Sequence, residues 1–206
     1  MKKVLFSVMA FSLVFALCAD IKLPPPRKTG GKGLMEVLNN RKTIRKYQEK
    51  ELSLQEISNL LWAACGVNRP DGKRTAPTAI NAQEITLFVF LKKGSFRYDA
   101  AGNTLVEINK KDLRKLAAPR FDAPLTLIIA SDTARQSRMK TMARKKHYSA
   151  VDSGYVSQNI YLYCASAGLG TVAIGGVADK GSEIRKSLGL SEAFYPVLGH
   201  AVGIPR

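Results

Sequence analysis

The stretch Asn40-Arg41-Lys42-Thr43-Ile44-Arg45-Lys46-Tyr47 places cations and a hydroxyl close together. Arg41 and Arg45 are four residues apart, so a helical turn would aim both guanidinium groups the same way. Guanidinium forks bind phosphate bidentately, and Thr43 with free backbone N–H groups could complete a cradle. A solvated basic helix end fits the same residues, because cations suit a helix C-terminus. Read alone, the stretch leaves both open.

Two glycine pairs carry different signals. Gly168-Leu169-Gly170 sits after a helix and before a strand, the reverse of the order a dinucleotide fingerprint needs, so it reads as a helix C-cap. Gly175-Gly176 follows the strand Thr171–Ile174 and precedes a helix; it could be a tight turn or a place where a planar ring approaches backbone N–H groups. Ahead of another strand, Pro77-Thr78-Ala79-Ile80-Asn81-Ala82-Gln83 is dense in hydroxyl and amide side chains. No Ser-His-Asp order, activated-cysteine signature or paired acidic motif is present, and His147 and His200 lack partners at metal-ligand spacing. Such a chain fits borrowed chemistry: no catalytic side chain is expected, and a cofactor reacts while the protein positions it.

The elements that must hold these residues follow from periodicity. A short helix over Leu34–Leu38 leads into the basic stretch. Ser53 and Glu56 form a capping box for a second helix, with Ile57, Leu60, Leu61 and Ala64 on one face and Gly66 at its end. Glu84–Leu91 reads as a strand, and Phe96–Tyr98 with Thr104–Ile108 as a hairpin. A charged helix over Lys111–Ala118 and a buried strand over Leu125–Ala130 come next. Arg135–Lys146 is basic enough to suggest an exposed or mobile lid. Ser149–Ala167 predicts a long helix with little charge, buried inside the domain or against a second subunit. A helix over Ser182–Leu188 and a strand over Tyr195–Val202 complete the pattern.

With 206 residues the chain suits one domain plus a short arm, and its net charge of +16 implies an anionic partner. The cations are scattered and not interleaved with aromatics, which argues against nucleic acid. Residues 1–19 resemble an export signal: Lys2 and Lys3 precede the apolar run Val4–Leu17, and Leu17-Cys18-Ala19 offers a cleavage site. The run is short for a membrane span. Export, as to a bacterial periplasm, is favoured over lipid anchoring through Cys18, where Leu17 is a poor fit. Residues 20–33 hold a proline triplet and three glycines and predict an extended arm, either a spacer or a strap lying on a neighbour. Residues 34–206 form the domain. Cys65 and Cys164 could pair as a disulfide or stay as buried thiols.

Taken together, four motifs resemble the FMN-dependent nitroreductase family. Arg41-Lys42-Thr43-Ile44-Arg45 is similar to its Arg-x-Ser/Thr-x-Arg/Lys motif, and Pro77–Gln83 to its Pro-Ser-x-x-Asn-x-Gln loop. Gly168–Gly176 is similar to its helix–glycine–strand segment, and Val202-Gly203-Ile204-Pro205-Arg206 to its Val-Gly-Tyr-Pro-Lys tail. The segment from Trp62–Gly66 to Pro77 looks closest to the branch of azoline (thiazole- and oxazole-forming) dehydrogenases. The resemblance implies an α+β fold, a three-layer α-β-α sandwich around a mixed sheet, and an intertwined homodimer with two FMN sites lined by both chains. It implies that Arg41 and Arg206 hold the phosphate, assisted by Lys42 and Thr43, and that Arg45 sits at the flavin's pyrimidine edge. Pro77, Thr78, Ala79 and Asn81 would line the ring from the partner chain, with Gly175 and Gly176 facing its reactive region. The implied reaction is ping-pong: a reduced donor such as NAD(P)H gives hydride to FMN and leaves, then a nitroaromatic, quinone or similar acceptor takes the electrons. A non-catalytic exported flavin carrier and a basic module for envelope polyanions are the alternatives.

Overall fold

A computed structural model describes residues 19–206; the expected export signal lies almost wholly outside the described residues. The strands β1 (Ile21–Lys22), β2 (Ile85–Leu91), β3 (Gly94–Asp99), β4 (Thr104–Asn109), β5 (Leu125–Asp132), β6 (Gly170–Ile174) and β7 (Phe194–Gly203) form one seven-stranded sheet in the order β1-β4-β3-β2-β5-β7-β6. The helices are α1 (Leu34–Asn40), α2 (Leu54–Cys65), α3 (Arg114–Ala117), α4 (Met142–Ala167) and α5 (Gly181–Leu188).

Both faces of the sheet are apolar because the central strands alternate between two cores. Leu125, Leu127 and Ile129 of β5 pack with Leu60, Leu61, Val156 and Ile160 of α2 and α4. Ile128 and Ala130 face the other way, onto Ala117, Ile184 and Leu188 of α3 and α5. The result is the expected α-β-α sandwich. The sheet itself is antiparallel at every described ladder rather than mixed. β5 and β6 run in the same direction through the α4 crossover, but β7 lies between them, antiparallel to both.

Local chemistry explains where the element boundaries fall. The capping box is present: Glu56 N–H donates to Ser53 Oγ at 3.2 Å, and Ser53 N–H donates to Glu56 Oε2 at 2.7 Å. α4 starts at Met142, ahead of the expected Ser149, because the Thr141 side chain caps it by accepting from Arg144 N–H. Gly168 closes it in the left-handed region at φ 71°. The 135–146 segment is largely exposed, as expected, but is anchored at two positions. Gln136 and Met139 are buried, and Gln136 Nε2 reaches Glu84, Lys145 and Ser149. The arm is a strap on its own domain: β1 pairs with β4, Leu23 is buried, and Pro24 O accepts from Ser58 and Asn103. Cys65 and Cys164 are buried free thiols.

Two features of this frame hold sequence-predicted site residues in place. First, Gly170 lets the basic stretch lie directly on β6, since a Cβ there would stand 2.7 Å from Ile44 Cγ2. Second, the 77–83 loop is tied to α4 by Ala79 N–H donating to Asp152 Oδ2 at 2.9 Å. This loop holds Ile80, Asn81 and Gln83 at φ 53°, 54° and 49°. A β-branched residue in that region is strained, and only surrounding contacts keep it there. Asp152 lies beside Glu84, and both are buried. Burial and the adjoining Asp152 push the Glu84 carboxyl up to about 7. Glu84 Oε2 has no donor partner, which a protonated oxygen donating to Asp152 accounts for.

The folded state therefore holds a proton on Glu84 between its ordinary value of 4.5 and about 7, where the unfolded chain releases it. Stability from this pair should be full below pH 4.5 and decline as pH rises towards 7. Glu84→Gln, which keeps the donor, should flatten that decline in urea-denaturation midpoints; an unchanged slope would show that the pair does not hold the proton. At the other feature, Gly170→Ala should cost roughly 1–3 kcal/mol by forcing Ile44 off β6. Chemical denaturation checks this, and an unaltered stability would remove the close approach as a constraint.

Candidate functional site

The basic stretch is extended rather than helical after α1 ends. Ile44 N–H donates to Thr171 O at 3.0 Å, Gln48 N–H to Ile204 O at 2.9 Å, and Arg206 N–H to Lys46 O at 3.2 Å. Tyr47 also bridges Pro205. The stretch is thus clamped between β6 and the chain's final residues. In an extended chain alternate residues share a face, so the grouping is Arg41, Thr43 and Arg45, not two arginines on one helical turn.

Tyr161 of α4 receives that face. The Arg41 guanidinium stands 5.2 Å from its ring centroid, and the Thr43 hydroxyl is 3.2 Å from its phenol oxygen. The same oxygen accepts from Ala173 N–H at 2.9 Å, so Tyr161 ties the stretch to the strand leading into Gly175. Behind it lies His200, fully buried, its Nε2 2.8 Å from Ser157 Oγ and its Nδ1 3.0 Å from Thr171 Oγ1. Burial lowers His200 to about 3, so it stays neutral and joins α4, β6 and β7 through hydroxyl partners.

A cavity of about 370 Å³ opens beside this clamp, walled by Arg45, Arg120, Phe121, Gly175, Gly176 and Lys180 among others. It has three cationic side chains and no carboxylate. Gly175 and Gly176 begin a short 3-10 helix, Gly175–Lys180, and both are exposed. Neither has a positive φ, and a Cβ on either would meet nothing within 4 Å. The backbone conformation does not demand glycine there. The open space above the pair does the explaining, and it suits a planar ring laid against the backbone. The residues present fit a flavin: open space over two glycines, bordered by cations that suit an anionic group.

The structure puts Arg45 in one cavity wall with Gly175 and Gly176, while Arg41 and Thr43 meet at Tyr161. Lys42 is exposed and lines a smaller cavity of about 160 Å³ with Tyr161, Thr171 and Pro205. Arg206 is exposed at the end of the clamp. Pro77, Thr78, Ala79 and Asn81 are elsewhere in the chain. Their loop docks at Asp152, nine residues before Tyr161, which is about 14 Å of helix rise. Sequence reasoning missed Tyr161, His200, Arg120 and Lys180. Ser157 and Tyr161 are four apart on α4, so a polar strip on an apolar helix was the available signal; Arg120 lies in a loop with none.

Comparison with known proteins places the chain in a family. The sequence pattern of the Nitroreductase family matches residues 38–204. A protein of Methanocaldococcus jannaschii named as a nitroreductase is 33% identical over 183 residues, covering 82% of this chain and 90% of that one. An FMN reductase [NAD(P)H] of Bacillus subtilis is 24% identical over 84% of this chain and 66% of its own length. A crystal structure from Ralstonia eutropha JMP134, described as a nitroreductase, superposes with a TM-score of 0.85 at 34% identity, covering 91% of this chain and 90% of that one. The NADPH:FMN oxidoreductase of Vibrio harveyi, complexed with NAD+, shares the fold, with a TM-score of 0.62 at 20% identity over 84% of this chain and 68% of that one. The chain belongs to the nitroreductase family and is an oxidoreductase enzyme.

Proposed function

We propose that the protein is an FMN-dependent oxidoreductase working by a ping-pong mechanism, from a reduced donor such as NAD(P)H to a small conjugated acceptor such as a nitroaromatic or quinone. The observation that carries this reading is the cationic cavity opening over Gly175 and Gly176. The FMN and NAD(P)H in the names of the Bacillus subtilis and Vibrio harveyi proteins support the same cofactor and donor. Bound FMN would supply hydride transfer, which explains why no nucleophile or acid–base pair stands in the cavity.

The chain's own residues bind, orient and balance charge. Arg41 and Arg206, with Lys42 and Thr43, would hold the phosphate; Tyr161 fixes Arg41 from below and Thr43 from the side. Arg45, joined by Arg120 and Lys180, would stabilise negative charge developing in the cavity. Phe121 and Val177 limit water on the inner wall.

The 77–81 loop would serve a partner's cavity in a homodimer. Large apolar side chains left exposed on α1 and α4 support such an assembly: Leu34 is 64% exposed, Met35 77%, Val151 38% and Tyr155 47%. Their removal from water on pairing would be favourable. Within the family, the Trp62–Gly66 to Pro77 segment favours a place near the azoline dehydrogenases. Residues 1–19 would direct export, with periplasmic residence the reading for the mature chain.

Arg41→Ala combined with Arg45→Ala should abolish FMN retention while leaving the fold and its oligomeric state unchanged. Absorption spectra of purified wild-type and variant protein, before and after NADH or NADPH, check this. Wild-type flavin bleached by the donor and restored by an acceptor supports the enzyme. Bound flavin that no donor reduces favours a carrier; colourless protein that takes up no FMN leaves the polyanion-binding alternative. Unchanged flavin occupancy in a folded double variant would refute the assignment of Arg41 and Arg45.

A further inference from the structure

A second cavity, of about 320 Å³, lies where β2 begins and β3 ends, away from the Gly175–Gly176 opening. Arg74, Arg97 and Arg135 all line it, together with Tyr98 and Cys65. None of the three guanidinium groups has an ion-pair partner among the described residues. Arg74 donates from Nη1 to Ile85 O at 2.8 Å, yet its Nε is buried with no partner. Asp99 is the single carboxylate in the wall, and it is already engaged: Oδ1 accepts from Ala101 N–H and Oδ2 from Gly102 N–H in the turn after β3.

Three like charges around one cavity repel, and a buried guanidinium N–H without an acceptor is costly. Both conditions are relieved by one anion with several acceptor oxygens. We propose that this cavity is a second anion site, taking a small phosphate monoester. Three forks match the three free oxygens of a phosphoryl group better than the two of a carboxylate. The cavity is larger than a bare phosphate fills, leaving room for a compact organic group beside Tyr98. The site binds and does not react covalently, because burial keeps the Cys65 thiol protonated; it is pushed up to about 11 despite the neighbouring Arg74. Gln83 also lines this cavity, and its backbone N–H donates to Thr78 Oγ1 at 2.9 Å, so the site sits behind the strained 77–83 loop.

The proposal does not rest on the flavin reading, and its test separates the two. Calorimetric titration with inorganic phosphate should show saturable binding in FMN-saturated wild-type protein. The same binding should persist in flavin-free Arg41→Ala/Arg45→Ala protein. It should weaken about tenfold or more in Arg97→Met/Arg135→Met, whose side chains are exposed and hold no ion pair, so that the fold persists. Absence of saturable binding, loss with the Arg41/Arg45 pair, or full retention without Arg97 and Arg135 would each overturn it.

Discussion

The candidate site depends on one close approach: an extended, cationic segment lying on β6 and the end of β7 with almost no side chain between. Gly170 admits Ile44, and Gly203 admits Tyr47, whose Cβ would stand 3.1 Å from a Cβ placed on that glycine. Backbone bonds from Ile44 to Thr171 and from Gln48 to Ile204 then fix the segment's direction. Tyr47 locks it from beneath, donating its buried hydroxyl to Ile44 O and Ala201 O. Burial raises the Tyr47 phenol above its ordinary range, so it keeps the proton with which it donates. Without this clamp Arg41, Thr43 and Arg45 would have no defined relation to Gly175 and Gly176.

The clamp also explains how a protein with so many cations keeps them useful. Arg41 rests on the face of Tyr161, an arrangement that orients a guanidinium without neutralising it. Arg45 and Arg120 make no ion pair among the described residues, and Lys180 reaches Glu183 only at 3.9 Å. The salt bridges that do form, such as Lys115–Asp122 and Lys73–Asp71, lie on exposed surface, where they contribute little. Positive charge is therefore left available around the cavity. The polar interior serves position instead: His200 and Tyr161 join α4 to the two strands beneath the clamp.

Much of this was legible in the sequence because it rests on local chemistry. Ser53 and Glu56 announce α2, Gly168 ends α4, and the nearly unbroken apolar run through β5 marks a strand buried on both faces. The site motifs were readable for the same reason, since Arg41, Arg45, Gly175 and Gly176 are recognised by type and spacing. What escaped depends on contacts distant in the chain. The basic 135–146 segment reads as an exposed or mobile lid and is largely exposed, yet Gln136 is buried against Glu84 and Ser149, which no local pattern foretells. The stretch from Arg41 to Arg45 fits a helical turn by spacing, but pairing with Thr171 and Ile204 pulls it straight. Tyr161 and Arg120 matter through contacts with β6 and the cavity wall that nothing near them in the chain announces.

In the proposed function, the space over Gly175 and Gly176 holds a flavin ring. Gly176→Val tests it most directly, because a Cβ there meets no protein atom within 4 Å and the flavin-free protein's denaturation midpoint should stay unchanged. FMN affinity, measured by quenching of flavin fluorescence, should fall by about tenfold or more as the valine takes the ring's place. Undiminished FMN binding to a folded Gly176→Val protein would contradict it.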